Sequence, residues 1–424
     1  MNVLIASDFY EPFIGGAERQ VQLLAAALAS RAHDVRVATV WHHGSLERES
    51  EGPVQVHRLQ SLILEQRALS TDPVRRFHPP VPVPGIVRGL RAMIAEQQPS
   101  VVHANGWIAY SCAAALIGSK IPLVLSVRDY GYSCAVRTLM QFDRVLCSGP
   151  APAKCLRCAN HRYGALKAIA AVGGVSLGRP LLTRRVRGIH AVSEYIRSIV
   201  LRDLIGEDET SWRPPIVRIP DIPPELSVSQ DDPESSLQMS MLPSEPFILF
   251  VGQLTEHKGL YTLLEAYKDL DSPPPLVLIG TIWPDTPTDL PPGVVKIGEA
   301  PHTVVLEAWR RSMFGVAPSI WPDPLPGVVR EAMSRGKPVI GSAVGGIIDM
   351  IDDGHTGLLV TPGDVNGLRS AMATLLADPD FRVRLGRAAQ DVTAQITAES
   401  VAAEFERFYT SVESEPAGSN PTRH

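Results

Sequence analysis

Short runs of β-branched and aliphatic residues alternate along this chain with stretches whose apolar positions recur every three or four residues. "NVLIAS", "DVRVATV", "VVHA", "PLVLSV" and "GIHAVS" read as buried strands. Between them, "GGAERQVQLLAAALASRA" puts Val21, Leu24 and Leu28 on one helical face, and "GWIAYSCAAALIGSK" predicts a second helix. Strands that are apolar throughout and separated by helices predict a parallel sheet covered on both faces. The rhythm lapses between about Pro214 and Pro246, where Pro, Ser and acids accumulate. It restarts with "FILFVG", "PLVLIG", "VVKIG", "FGVAPS", "PVIGS" and "GLLV". The expected fold class is therefore α/β, with two Rossmann-like, doubly wound parallel-sheet domains facing a central cleft. The expected limits are 1–222 for the first domain, with an insertion at about 130–188, and 223–245 for a linker. They are 246–390 for the second domain, 391–412 for a helix crossing back to the first, and 413–424 for a disordered tail.

Composition narrows the class. At 424 residues the chain is too long for one ordinary core. With 45% hydrophobic and 20% charged residues it reads as globular. A net charge of −5 gives no case for nucleic acid as a partner. "MNVLIASDFY" starts like a strand and lacks the features of a signal peptide, so with five cysteines a cytoplasmic, reduced setting is expected. No membrane-spanning helix is expected, because "ALKAIAAVGGVSLGRPLL" is interrupted by Lys167, Gly173, Gly174 and Arg179. Charge is uneven, however. From Asp143 to Arg202 there are eleven Lys/Arg and two acids. That segment is either a solvated basic surface or a region that rests on anionic lipid, which would place the protein peripherally on the inner face of the plasma membrane.

Ligands of doubly wound folds bind where strands hand over to helices. Three such places carry chemistry here. "EPFIGGAERQ" follows the first strand, and Gly15 and Gly16 leave helix N-terminal amides open to an anion; a tight turn needing glycine is an equal reading. "FVGQLTEHKGLYTLLEAY" puts Lys258 before a glycine at a helix start, suited to a phosphate or diphosphate, although a solvated lysine is the commoner case. "WPDPLPGVVREAMSRGKPVIGS" holds Asp323 on a proline-shaped loop and Glu331 eight positions on, in what reads as the first turn of a helix. Glu331 can accept hydrogen bonds from paired hydroxyls such as those of a ribose. Gly327 leaves amides open beside it.

These segments, together with "GGIIDMIDDGHTGLLVTPGD", resemble the retaining GT-B glycosyltransferases of family 4 over most of residues 1–410. The resemblance implies that Glu331 binds the ribose of a nucleoside-diphosphate sugar, UDP-, GDP- or ADP-linked. It implies that Asp323 contacts hydroxyls of the donor sugar. Lys258 would hold the diphosphate with help from Gly15 and Gly16, and Gly327 and Val328 would offer amides. No metal is implied for catalysis. Two positions depart from the family pattern: Gln253 stands for its usual Arg, and Asp323 for its usual Glu. Each would weaken donor binding, retune donor choice or mark lost activity.

In "VVHANGW" the family's H-x-H-D keeps His103 and has Asn105 for its second His. His103 would touch donor sugar or acceptor, or else be a core histidine with both nitrogens satisfied. Asn105 and, in "SVRDYGYSC", Arg128 and Asp129 are acceptor-side candidates, the last two being otherwise a structural ion pair. Cys134, Cys147, Cys155 and Cys158 form C-x12-C-x7-C-x2-C, a spacing that suits a structural zinc, free thiols or a labile disulfide. A subset of the family has a similar cysteine-bearing insertion. Cys112, on an apolar helix, is expected in the core.

The function this resemblance implies is transfer of a sugar, with retention, from a nucleoside-diphosphate sugar to a glycan, a lipid-linked or a small acceptor in cell-surface polysaccharide or glycoconjugate synthesis. The alternatives are a non-catalytic sugar-binding partner of the same fold and, less favoured, a nucleotide-sugar 2-epimerase. The latter would need a cluster of acid/base carboxylates and histidines that the motifs do not supply.

Overall fold

The computed structural model describes residues 1–13, 15–64, 78–206, 214–223 and 233–414. Residues 224–232 of the expected linker and 415–424 of the expected tail lie outside them. The chain divides into two compact units, one of Met1–Ile222 with Ala398–His424, the other of Pro223–Thr397.

The first unit runs β1 (Asn2–Ser7), α1 (Gly16–Ser30), β2 (Asp34–Val40), β3 (Arg48–Glu51), β4 (Val54–Leu59), α2 (Pro84–Gln97), β5 (Val101–Asn105), α3 (Ile108–Ala115) and β6 (Leu123–Val127). It continues through β7 (Met140–Gln141), β8 (Val145–Leu146), α4 (Pro152–Tyr163), α5 (Ala165–Arg185), β9 (Val186–Ala191), α6 (Glu194–Val200) and β10 (Ile216–Arg218). Its eight-stranded sheet has the order β10-β9-β6-β5-β1-β2-β4-β3. Every pairing is parallel except β3 with β4. The segment whose apolar run is interrupted by Lys167, Gly173, Gly174 and Arg179 forms a single helix, α5, with Pro180 also inside it.

The second unit holds α7 (Pro233–Ser240), β11 (Ile248–Val251), α8 (Leu260–Lys268), β12 (Leu276–Ile279), β13 (Val294–Gly298), α9 (His302–Arg311), β14 (Phe314–Ala317) and α10 (Gly327–Ser334). It ends with β15 (Val339–Ser342), β16 (Gly357–Val360), α11 (Val365–Ala377) and α12 (Pro379–Ala394). The sheet order is β13-β12-β11-β14-β15-β16, all parallel. Side chains alternate across it. Ile248 and Phe250 enter the core shared with α8 and α11, while Phe247 and Leu249 enter the one shared with α9 and α10. In both sheets the strand order reverses beside the unit's first strand, at β1/β5 and at β11/β14. Such a switch point opens a crevice at the carboxyl ends of the strands.

The helix expected at 391–412 has other bounds, since residues 391–394 belong to α12. α12 stays with the second unit, and α13 (Ala398–Ser414) packs on the first. Phe405, Phe408 and Tyr409 of α13 are buried there, and Glu406 accepts from Arg31 at 2.7 and 2.8 Å.

Candidate functional site

At the second unit's switch point, three loops lock together. After β11, a 3-10 turn spans Glu256–Lys258. The carbonyl of His257 accepts from the amides of Ile320 and Trp321, at 3.1 and 3.0 Å, in the loop that follows β14. That loop's Asp323 carbonyl accepts from Gly346 N at 2.7 Å, after β15. The approach is close enough to demand glycine: a Cβ on Gly346 would stand 2.0 Å from the Pro324 carbonyl oxygen, and one on Gly259 1.8 Å from that of Pro318.

The lock brings Lys258 and Asp323 into a direct ion pair. The ammonium also lies over the Trp321 ring, 4.7 Å from its centroid. Asp323 is buried, and Lys258 is largely so. The next helix, α10, begins at Gly327 with no side-chain cap, leaving the first amides open. Gly327 is exposed, Val328 half-buried and Gln253, at the end of β11, exposed. Glu331 does not lie in the first turn, contrary to expectation. Because the helix already starts at Gly327, Glu331 falls in the second turn, where the dipole has less hold on it. Its partner is His302, the first residue of α9, at 3.1 Å. His302 escaped sequence reasoning because nothing near it in the chain announces a partner.

The first unit's switch point holds a cavity of about 220 Å³ lined by Asp8, Glu18, Asn105, Arg128, Asp129 and Arg137 among others. Asp8, which directly follows β1, organises it. Its two carboxylate oxygens accept from Trp107 N at 2.9 Å and Ile108 N at 2.6 Å, capping α3. Burial pushes its pKa up to about 6, against the opposing pull of Arg137 and the two amides. Arg137 pairs with Asp129 and stacks on Trp107, 5.1 Å from the ring centroid. Asp8 and Arg137 were not legible beforehand: a lone acid at a strand end, and an arginine in a loop, carry no motif.

Arg128 is not paired with Asp129 but with Asp221, after β10. Gly15 caps α1 with Gly16 as its first residue, and the Gly15 amide is already bound to Glu18 Oε2 at 2.9 Å. Asn105, the last residue of β5, is buried and lines the cavity, and neither of its amide atoms has a hydrogen-bond partner among the described residues.

His103 is corrected to a core residue. It is fully buried in mid-strand, with Nδ1 2.7 Å from Tyr409 Oη and Nε2 2.7 Å from Ser126 Oγ. Ser126 Oγ is also 2.7 Å from His190 Nδ1, and His190 Nε2 is 2.9 Å from the Ile219 carbonyl. Burial holds both rings neutral, with His190 at about 3 and His103 well below its usual value. The carbonyl can only accept, so every proton in the relay is assigned: His190 Nε2 donates to Ile219, Ser126 to His190, His103 Nε2 to Ser126, and Tyr409 to His103.

Cys134, Cys147, Cys155 and Cys158 line one small cavity of about 20 Å³, beside the β7–β8 hairpin and α4. Backbone amides of Phe142 and Ala151 donate to Cys158 and Cys155 at 3.4 and 3.3 Å. All five cysteines are free thiols, and Cys112 is buried in α3 as expected. Among the described residues no three His, Cys, Asp or Glu groups are placed to hold a metal ion. The cysteines converge, but they do not form a ligand shell.

Comparison with known proteins accords with this geometry. The model of glycosyl transferases group 1 matches residues 240–392, and that of glycosyltransferase family 4 matches residues 14–211. Among solved structures, sucrose-phosphate synthase from Thermosynechococcus elongatus superposes with a TM-score of 0.70 at 20% identity, over 97% of this chain and 99% of that one. Anabaena HepE in complex with UDP gives 0.65 at 17% identity, over 97% and 100%. The fold is GT-B. The chain belongs to the group 1, or family 4, glycosyltransferases. Among curated relatives, the glycogen synthase of Mycobacterium tuberculosis is 28% identical over 173 residues, 38% of this chain and 42% of that protein. The N-acetyl-alpha-D-glucosaminyl L-malate synthase of Bacillus anthracis is 37% identical over 86 residues, 20% of this chain and 23% of that one. The chain thus spans less than half the length of either relative.

Proposed function

We propose that this chain transfers a glycosyl group from a nucleoside-diphosphate sugar to a hydroxyl of a glycan, glycolipid or small acceptor, with retention at the anomeric carbon. The observation that carries this reading is the convergence of Lys258, Asp323, Glu331 and the uncapped α10 N-terminus at one switch point. Glu331 takes the ribose hydroxyls. Lys258 and the Gly327 and Val328 amides take the diphosphate, a role that needs no metal. Asp323 takes a hydroxyl of the donor sugar. Gln253 offers an amide where the family pattern has a guanidinium, so Lys258 carries more of the diphosphate's charge. The bond from the anomeric carbon to the diphosphate breaks as the acceptor oxygen bonds to the same face. The acceptor's proton passes to the departing phosphate oxygen.

The first unit supplies the acceptor pocket. Its cations are already matched, Arg128 by Asp221 and Arg137 by Asp129, so the cavity suits a neutral, hydroxylated acceptor better than an anionic one. Asn105 has an amide ready for such hydroxyls. Names of relatives and solved structures support the class: among them are an Anabaena protein in complex with UDP-glucose, and a starch synthase bound to ADP and acarbose. The test is calorimetry with UDP, GDP and ADP, followed by release of that nucleotide from the matching sugar donors. Binding of one nucleotide and turnover of its donor is the expected result. Failure of all three to bind would overturn the reading.

A further inference from the structure

Among the described residues, α5 is the one helix long and apolar enough to cross a membrane. Its packing points to a different use. One face is built into the first unit: Ala168, Val172, Gly174, Val175, Gly178 and Leu182 are buried. The fit is tight, for a Cβ on Gly178 would stand 2.3 Å from Tyr110 Cε1. A helix held this way cannot give that face to lipid and span a bilayer.

The opposite face is apolar and uncovered. Leu166, Ile169 and Leu177 are 86, 61 and 83% exposed. Ala170 is exposed between them, and Gly173 continues the row. Their spacing follows the helical repeat, so they form one stripe, about 16 Å long at 1.5 Å per residue. A solvent-facing row of leucine and isoleucine on a well-packed helix marks an interaction surface rather than a fold requirement.

Charge says what the surface meets. No acid occurs between Asp143 and Glu194. Arg157 on α4 and Arg184 in the last turn of α5 are exposed. Arg179 and Arg185 donate to the backbone carbonyls of Leu204 and Leu116, neutral acceptors that leave the positive charge uncancelled. A second copy of the chain would bring the same positive charge to the contact and be repelled. An anionic lipid surface offers both what the stripe needs and what the cations need.

We propose that α5 lies flat in the headgroup region of an anionic bilayer, with Leu166, Ile169 and Leu177 inserted and the flanking arginines on lipid phosphates. The inference is independent of the transferase reading. The test is flotation of the full chain with phosphatidylcholine vesicles, alone or with about a third phosphatidylglycerol. The chain is expected to float with the anionic vesicles at low salt, and about tenfold less with neutral ones or at high salt. The triple variant L166Q/I169Q/L177Q is expected to lose about tenfold in binding with an unchanged melting temperature, since none of these side chains is in the core. Should that variant not fold, R157E/R184E serves instead and is expected to weaken binding to anionic vesicles alone. No flotation with anionic vesicles at low salt, or flotation unchanged in both variants, overturns the proposal. So does a dimer in sedimentation that the triple variant dissolves while vesicles go unbound, which would assign the stripe to a second copy.

Discussion

Lys258 and Asp323, 65 positions apart, satisfy each other at the switch point of the second sheet. Without a ligand, the cation proposed for the diphosphate is neutralised by the carboxylate proposed for the sugar. Donor binding must therefore exchange partners. Asp323→Asn removes the competing charge, so it is expected to tighten nucleoside-diphosphate binding several-fold while lowering turnover. Lys258→Ala is expected to weaken that binding at least tenfold. It also strands a buried carboxylate, lowering stability by about 1–3 kcal/mol. Calorimetry and thermal melts on the two variants separate these effects; equal affinity in both would sink the exchange.

Glu331 faces His302 rather than the backbone. Glu331→Ala is expected to cost about 1.5–3 kcal/mol in nucleotide binding, roughly 10- to 100-fold, as befits a charged acceptor of ribose hydroxyls. Its melting temperature should move little, because the carboxylate caps no helix end. A large stability loss with unchanged affinity would reassign Glu331 to structure.

Gly346→Ala tests the lock among the three loops. The added methyl would sit 2.0 Å from the Pro324 carbonyl oxygen, so the Asp323 loop must move. A destabilisation of about 1–3 kcal/mol is expected, with a disproportionate loss of nucleotide affinity. Affinity falling no more than stability would show the loop to be tolerant of displacement.

Asn105 lines the first unit's cavity with its amide unpaired. Asn105→Ala is expected to leave melting temperature unchanged or slightly raised, since no hydrogen bond is lost. The acceptor KM should rise about tenfold, the cost of one hydrogen bond, with nucleotide affinity unmoved. Steady-state kinetics with varied acceptor decides it; an unchanged KM removes Asn105 from the acceptor site.

Acid should unfold the first unit through its histidines. Burial pushes His78 to about 4, His190 to about 3 and His103 well below its usual value. In the unfolded chain each protonates near pH 6.5. Below that pH the unfolded state takes up protons the native state refuses, so stability falls as pH falls from about 6.5 toward 4. Each such proton is worth up to about 1.4 kcal/mol per pH unit. Asp8 acts the other way: raised to about 6, it holds a proton in the native state that the unfolded chain binds only near 3.8. His57, lowered by burial, and Glu406, held at about 2 by its hydrogen bonds from Arg31, act with the three histidines, so melting temperature should drop across this window, and less steeply in His78→Gln. A flat or rising profile would contradict the neutral relay.

Much of this architecture was legible before any coordinate. Strand and helix patterning depends on near neighbours, so β1, α1, β11 and all six strands of the second sheet stood out, whereas β3, β4 and β10 at the edges of the first sheet were not picked out. Lys258, Asp323, Glu331 and Gly327 could be singled out because each follows a strand that the pattern marks, and post-strand loops meet at a switch point. His103 and Asn105 show where that reasoning stops. They are two apart on one strand and point the same way, yet only the strand's last residue reaches the cavity. The one deeper in meets Tyr409, 306 positions later.

What the chain determines by itself is thus local: where it is extended, where it coils, and where glycine permits a tight turn. Tertiary structure decided the partners: that Lys258 is held by Asp323, Glu331 by His302, and Arg128 by Asp221 rather than its neighbour. It also decided which face of α5 is buried and which is bare. Periodicity arises from backbone geometry repeated every few residues. A partner is chosen by packing among segments far apart in the chain, and no short window of sequence contains both members of the pair.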